Sequence, residues 1–220
     1  MACVIAEIRD EAQSGGRVAP LVQRAVLLAT VLRTRHTLDW LKTELNGYAH
    51  DATLPDYRRG DGGVLIAWRP GDGWIQAPIS PAMASRLSHF ELRTGVEDLE
   101  TQIEEQGPRG AARMEFDGDE LAALQQEARL DTRLSLALPQ TAIPTVLETV
   151  RQGLIAWADA MLEAGVEGEG SAFSREERTL AEPVDEDFHN LVETAAEHAR
   201  AQVAASSSRR RGFFSRLFAG

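Results

Sequence analysis

Two stretches of helical periodicity bracket a middle segment whose apolar residues follow a different rhythm. Val18, Leu21, Val22, Ala25, Leu28, Ala29 and Leu32 recur at three- and four-residue steps, which places them on one face of an α-helix. Leu147, Val150, Leu154, Trp157 and Met161 do the same after Pro144, and Gly165 ends the run. Proline suits a first helical turn, where its missing N–H would have had no intrahelical acceptor. Between them lie Val64–Trp68 and Trp74–Ile79, separated by Pro70-Gly71-Asp72-Gly73, which reads as a β-hairpin. Leu134–Leu138 reads as a third strand. A chain with both signals must pack helix on helix and helix on sheet. The expected fold class is therefore α+β: a mostly helical domain with a small antiparallel β-sheet, plus a C-terminal helix and a flexible tail.

Other signals fill in the order. Thr37 is placed to cap a second helix, with Leu38, Leu41 and Leu45 inward and Asn46-Gly47 as its stop. Pro55 holds Leu54 extended, and Gly60 to Gly63 is a turn-rich break. After Pro81 the pattern predicts a helix carrying Leu92, Val96, Leu99 and Ile103, broken at Gln106-Gly107-Pro108-Arg109-Gly110. A short helix is expected near Asp119. Residues 1–165 are predicted to form the domain, 166–183 an exposed acidic linker, 184–205 a C-terminal helix and 206–220 a basic-aromatic tail. Asp185, Glu186 and Asp187 would occupy that helix's first turn, complementing its dipole. Its stripe of Val184, Phe188, Leu191, Ala195 and Ala199 suits a partner or the same core.

Charge and residue usage exclude several classes. The chain has 220 residues and a net charge of −11, and its last twelve residues hold four arginines and no acid. The eleven net negative charges therefore become fifteen once those four arginines are set aside. Such a body repels phosphate backbones, so direct nucleic-acid binding by it is not expected. Lys42 is the only lysine and lies outside a G-x-x-x-x-G-K context, which removes P-loop chemistry. A single cysteine, Cys3, allows no disulfide framework and no cysteine zinc site. No apolar run approaches the roughly 20 residues of a membrane-spanning helix. The segment MACVIAEIRDEA lacks the basic flank and long apolar core of a secretory signal, so a cytoplasmic protein is expected.

Several segments together resemble one family. Leu28-Ala29 precede Trp40-Leu41-Lys42-Thr43-Glu44-Leu45-Asn46-Gly47-Tyr48, and Leu54-Pro55-Asp56-Tyr57-Arg58 follows. This order resembles the AbiTii abortive-infection family, whose W-x-x-x-E-L-N-G-Y helix end is paired with an L-P-D-Y-R segment. Val150-Arg151-Gln152-Gly153-Leu154-Ile155-Ala156-Trp157-Ala158 is similar to that family's later V-R-x-x-L pattern. The resemblance covers residues 15–165 and implies bacterial defence against phage, often with an operon partner. It implies no catalytic residue and no cofactor.

The motif residues Trp40, Glu44, Asn46, Gly47, Tyr48, Pro55, Asp56, Tyr57, Arg58 and Arg151 allow two readings. In the first, Gly47 caps a helix, Tyr48 packs over its last turn, and Glu44–Arg58 or Asp56–Arg151 form salt bridges. In the second, Glu44, Asp56 and Arg58 converge as the acid–base or metal-binding groups of a nuclease or other toxin. Phe116-Asp117-Gly118-Asp119-Glu120 lacks the alternating oxygen ligands of a calcium loop and reads as a helix cap. His36, His50, His89, His189 and His198 show no metal-ligand spacing, and no metal site is expected. Trp68, Trp74 and Trp157 read as core residues. The tail differs: Arg209, Arg210, Arg211, Phe213, Phe214, Arg216, Leu217 and Phe218 suit a partner's apolar groove or an anionic membrane surface. The sequence thus favours a non-enzymatic sensor, adaptor or regulator, binding another defence protein or a phage protein. A homo-oligomer and weak contact of the tail with the inner-membrane surface are the further alternatives.

Overall fold

The computed structural model describes residues 3–106, 112–168 and 172–217. In chain order the described residues form α1 (Val4–Gln13), α2 (Val18–Leu32), α3 (Arg35–Asn46), a 3-10 turn (Asp56–Arg58), β1 (Arg59–Gly60), β2 (Val64–Arg69) and β3 (Gly73–Gln76). There follow α4 (Pro81–Arg86), β4 (Phe90–Glu91), α5 (Val96–Gln106), β5 (Arg113–Glu115), α6 (Gly118–Ala128), β6 (Leu134–Ala137), α7 (Ala142–Glu163), α8 (Arg175–Glu186) and α9 (Phe188–Leu217). The α+β class, dominated by helices, is as the sequence predicts. The chain divides into two compact units, one of residues 1–53, 93–101 and 144–220, the other of residues 54–92 and 102–143.

The first unit is helical. Both predicted stripes are buried in it: Leu21, Val22, Ala25, Ala29 and Leu32 on α2, and Val150, Leu154, Trp157 and Met161 on α7, each no more than 2% exposed. Helix α1, unforeseen in the sequence, adds Ile5, Ile8 and Ala12. The ends of these helices are closed by side chains from other helices. Arg17 before α2 offers no side-chain cap, and Glu100 on α5 takes its place. The Glu100 carboxylate accepts from the Val18 and Ala19 amides and from Arg17 Nε. Thr34 before α3 likewise makes no side-chain cap. Asp185 on α8 accepts from the amides of His36 (3.1 Å) and Thr37 (2.8 Å) and from the Thr37 hydroxyl (2.7 Å). At the opposite poles, Arg151 donates to the Ala12 carbonyl in the last turn of α1 and to the Gly16 carbonyl beyond it, and Arg178 donates to Val31 O in the last turn of α2. Acids meet amide ends and arginines meet carbonyl ends, the pairing that orphan backbone groups and the helix dipole favour.

Four expectations differ from the structure. Helix α3 starts at Arg35, so Thr37 lies inside its first turn and is itself held by Asp185. Residues 175–183 of the supposed linker belong to helix α8, because Ser174 and Glu177 form a reciprocal capping box that outweighs the acidic composition; residues 169–171 lie outside the described residues. The last helix begins at Phe188, which leaves Asp185 and Glu186 in the last turn of α8. The stripe of α9 closes on its own unit: Phe188, Val192, Ala195 and Ala199 are buried. Helix α9 also continues through Ser206, Ser207 and Ser208, where a flexible joint was expected.

The second unit holds an antiparallel sheet in the order β3-β2-β6-β5. The predicted hairpin is present, with Trp68 opposite Trp74 and Gly71 and Gly73 at positive φ in the turn. The third predicted strand, β6, is central, pairing Leu65 with Leu136 on one side and Met114 with Leu136 on the other. Leu65, Ala67 and Leu134 on one sheet face pack with Ala77, Met83 of α4 and Leu124 of α6. Asp117 caps α6, donated to by the Glu120 amide at 2.8 Å. The single helix expected after Pro81 is instead α4, β4 and α5: Ser80 caps a six-residue helix, and Leu92 lies between β4 and α5, its N–H donating to Arg58 O at 2.7 Å. The break expected at residues 107–110 lies outside the described residues.

Two measurements test these closures. Asp185→Ala strips α3 of its cap and leaves buried donors unpaired, so urea unfolding should show a loss of about 2 kcal/mol. Glu186→Ala, on the exposed side of the same turn, should stay within about 0.5 kcal/mol. Glu177 also accepts from the Ser174 (2.8 Å), Gly168 (2.8 Å) and Glu167 (3.2 Å) amides, and these bonds, Ser174 first, hold its carboxyl below the ordinary glutamate value. A lowered folded-state pKa contributes stability that is present above the unfolded value of about 4.3 and lost as pH falls through the folded one. The stability difference between the wild type and Glu177→Gln should therefore be largest near neutrality and close on acidification below about pH 4, followed by thermal midpoint.

Candidate functional site

The motif residues fall in both units. In the first, α3 carries Trp40, Glu44 and Asn46 toward Gly47 and Tyr48. The Trp40 ring lies against α7 at Gly153, where an added Cβ would stand 3.1 Å from its Cη2 atom. Phe188 meets the ring edge-on, with centroids 5.2 Å apart. Glu44 is fully buried, and its carboxylate accepts from the Tyr48 hydroxyl at 2.5 Å. Asn46 Nδ2 donates back to Lys42 O at 2.8 Å. Gly47 ends the helix with φ +88°, as predicted.

The chain beyond Gly47 is built on backbone contact. Tyr48 N–H donates to Arg93 O at 2.7 Å. A Cβ on Gly47 would lie 2.6 Å from Arg93 O, and one on Gly95 would lie 2.2 Å from Leu45 O. Two glycines thus let two backbones touch, the close approach that only a residue without a side chain permits. The Arg93 guanidinium completes the join by donating to the Ala49 and Ala52 carbonyls, at 2.6 and 3.0 Å. Arg151 donates to the α1 carbonyls and pairs with Glu148 at 3.5 Å.

In the second unit, Pro55 opens the 3-10 turn, whose Arg58 amide donates to Pro55 O at 3.0 Å. Tyr57 and Arg58 are buried, Arg58 completely. Its guanidinium donates to Leu92 O at 2.9 Å while its own carbonyl accepts from Leu92 N–H. Asp56 is exposed and pairs with Arg59. Asp56 pairs with Arg59 and Arg151 with Glu148, each between residues three apart. Among the described residues no three His, Cys, Asp or Glu side chains lie together as a metal site requires. The sequence also overstated one aromatic burial: Trp157 is fully buried, whereas Trp68 is 39% exposed.

Gly95, Arg93 and Glu100 were not singled out from sequence, and Asp185 and Gly153 were read there without these roles, although each touches or supports a motif segment. For Gly95 the available signal is the Thr94-Gly95 break ahead of an amphipathic run; for Asp185 there is none, since its partner lies some 150 positions away. Of the tail positions, Arg209, Arg210, Arg211, Phe213, Phe214, Arg216 and Leu217 fall on the helical backbone of α9, but their side chains, and Phe218 altogether, lie outside the described residues.

A mostly helical protein with a hairpin-based sheet, in which a glycine-ended helix and an L-P-D-Y-R turn are joined to their own units by buried polar bonds, is the class so defined. The family model of AbiTii matches residues 4–186, and the chain belongs to that family. No curated protein and no solved structure matches it. Membership assigns the chain to abortive infection, that is, to defence against phage. No helix among the described residues is long and apolar enough to cross a membrane.

Gly95→Ala drives a methyl group into Leu45 O and should lower stability by about 3 kcal/mol, at the upper end of overpacking costs. Gly16→Ala, where nothing lies within 4 Å of the added atom, should leave the urea midpoint within about 0.5 kcal/mol of the wild type.

Proposed function

We propose that the protein acts in anti-phage defence as a non-catalytic sensor, adaptor or regulator that binds a protein partner, either another defence protein or a phage protein. The observation carrying this reading is how the charged motif groups are spent. Glu44 is held by Tyr48, Asp56 by Arg59, and Arg151 by helix-end carbonyls. These groups serve the frame of the domain, and the surface around it is left to recognition. The tail is the natural docking element: the family match ends at residue 186, whereas α9 runs on to Leu217. It ends in the Arg209–Phe218 segment, whose arginines and phenylalanines suit an apolar groove with an acidic rim.

The second reading is an effector enzyme such as a metal-dependent nuclease using Glu44, Asp56 and Arg58. A buried carboxylate 2.5 Å from a phenol is the feature that favours it, since buried acid pairs of this kind support proton transfer. A cytoplasmic location, with the tail touching the inner-membrane surface at most weakly, belongs to the proposal.

A tagged pull-down from infected and uninfected cells, comparing the full chain with one ending at Ser208, tests the leading reading. One recurring protein lost on truncation is the expected result; its absence in both states, with flotation on anionic liposomes, would shift the tail to a membrane role. Glu44→Gln separates frame from chemistry. It keeps the shape and an acceptor for Tyr48, so defence should survive wherever the thermal midpoint does. Loss of defence, and of magnesium- or manganese-dependent nuclease activity, at unchanged stability would establish the enzyme.

A further inference from the structure

The sheet of the second unit has one face packed against α4 and α6, while its other face presents an aromatic and basic cluster. Side chains alternate along a strand, so Val64 and Trp68 of β2 stand opposite the buried Leu65 and Ala67. Trp68 and Trp74, paired across the hairpin, meet edge to face with centroids 5.6 Å apart. Val64 and Trp68 are exposed hydrophobic side chains, at 41% and 39%. Two guanidiniums approach the Trp74 ring, Arg113 from β5 at 5.0 Å and Arg133, just before β6, at 5.5 Å. Neither makes an ion pair or hydrogen bond among the described residues, in contrast to Arg59, Arg69 and Arg86 of the same unit, which pair with Asp56, Asp72 and Glu127. The acid of this face, Glu115, lies across from Ser135 and pairs with neither arginine.

Two like charges held against one indole, with their N–H donors unspent, are complementary to an anion. The exposed Trp68 beside them offers a flat apolar surface. Phosphate plus a planar ring is the chemistry of a nucleotide chain, and antiparallel sheets that bind single strands use aromatic rings for the bases and guanidiniums for the backbone. An acidic peptide would satisfy the arginines but leave the indole unused. We infer that this face, Trp68, Trp74, Arg113 and Arg133, binds single-stranded nucleic acid. The chain's net −11 opposes long-range capture of a polyanion, but beyond a Debye length of about 8 Å at physiological salt that repulsion is largely screened. Net charge therefore limits the affinity and the association rate and leaves the local contact intact. The inference is independent of the tail and of the protein partner proposed above.

The test is fluorescence anisotropy of labelled oligothymidylate and oligouridylate, about 12 nucleotides long, with the full chain at about 50 mM salt. Saturable binding with quenching of tryptophan emission is expected. Trp68→Ala should weaken it about 5- to 150-fold, the range for loss of one base stack. Arg133→Ala should also reduce the slope of log affinity against log salt by about 0.7. Arg133→Lys keeps the charge and loses the planar fork, so it should retain the salt slope while binding more weakly. Both positions are at the surface, and near-UV circular dichroism reports whether the fold is kept. Absence of binding to both oligomers overturns the proposal, as does binding that survives Trp68→Ala and Arg133→Ala together. Displacement by polyglutamate as effective as by unlabelled oligomer would also overturn it, since the face would then be a general anion site.

Discussion

The exchange of side chains between helix ends is the interaction on which the helical unit depends. Every helix leaves amides bare at one end and carbonyls bare at the other, and burying them unpaired costs about 1–3 kcal/mol each. Helices α2 and α3 begin at residues whose side chains do not cap them. Their amides are served by Glu100 and Asp185, from α5 and α8. The carbonyl ends of α1 and α2 are served by Arg151 and Arg178. These bonds tie segments far apart in sequence, so helix termination and tertiary assembly are one event in this unit. They also suit the residue usage: a planar guanidinium presents several donors in a fixed fork, whereas lysine offers a point charge, and the chain has one lysine among its 23 basic residues.

What the sequence made legible is what is encoded locally. The stripes of α2 and α7, the hairpin around Gly71 and Gly73, the central strand β6 and the Gly47 stop each follow from spacing or from one residue's conformational preference. Helix α8 was hidden because its acidic composition suggested a solvated linker, although Ser174 and Glu177 hold the S-x-x-E spacing of a capping box. The run after Pro81 mimicked one helix because Leu92 happens to fall in phase with Val96 and Leu99. Leu92 instead lies outside the helix and pairs with Arg58, a contact no periodicity reports. The roles of Gly95 and Asp185 depend on partners about 50 and 150 positions away, beyond the reach of any local window.

The motif segments have a common physical character. In W-x-x-x-E-L-N-G-Y the tryptophan packs on a helical glycine, the glutamate binds the tyrosine, and the glycine allows backbone contact with Arg93–Gly95. In L-P-D-Y-R the proline starts a turn and the arginine ties it, through main chain and side chain, to Leu92. The charged and polar side chains of both motifs make hydrogen bonds within their own units, Glu44 with Tyr48 and Arg58 with Leu92.

Helix α9 has a consequence for modularity. Its first three turns belong to the domain: Phe188 closes on Trp40, and Val192, Ala195 and Ala199 are buried. The family boundary at residue 186 is therefore no structural seam. A seam exists only past Ala199, where the helix leaves its buried stripe behind. Different C-terminal segments could be spliced there, in register with a rigid helix and without reopening the core, so one defence scaffold could be refitted with new endings while its interior stays unchanged.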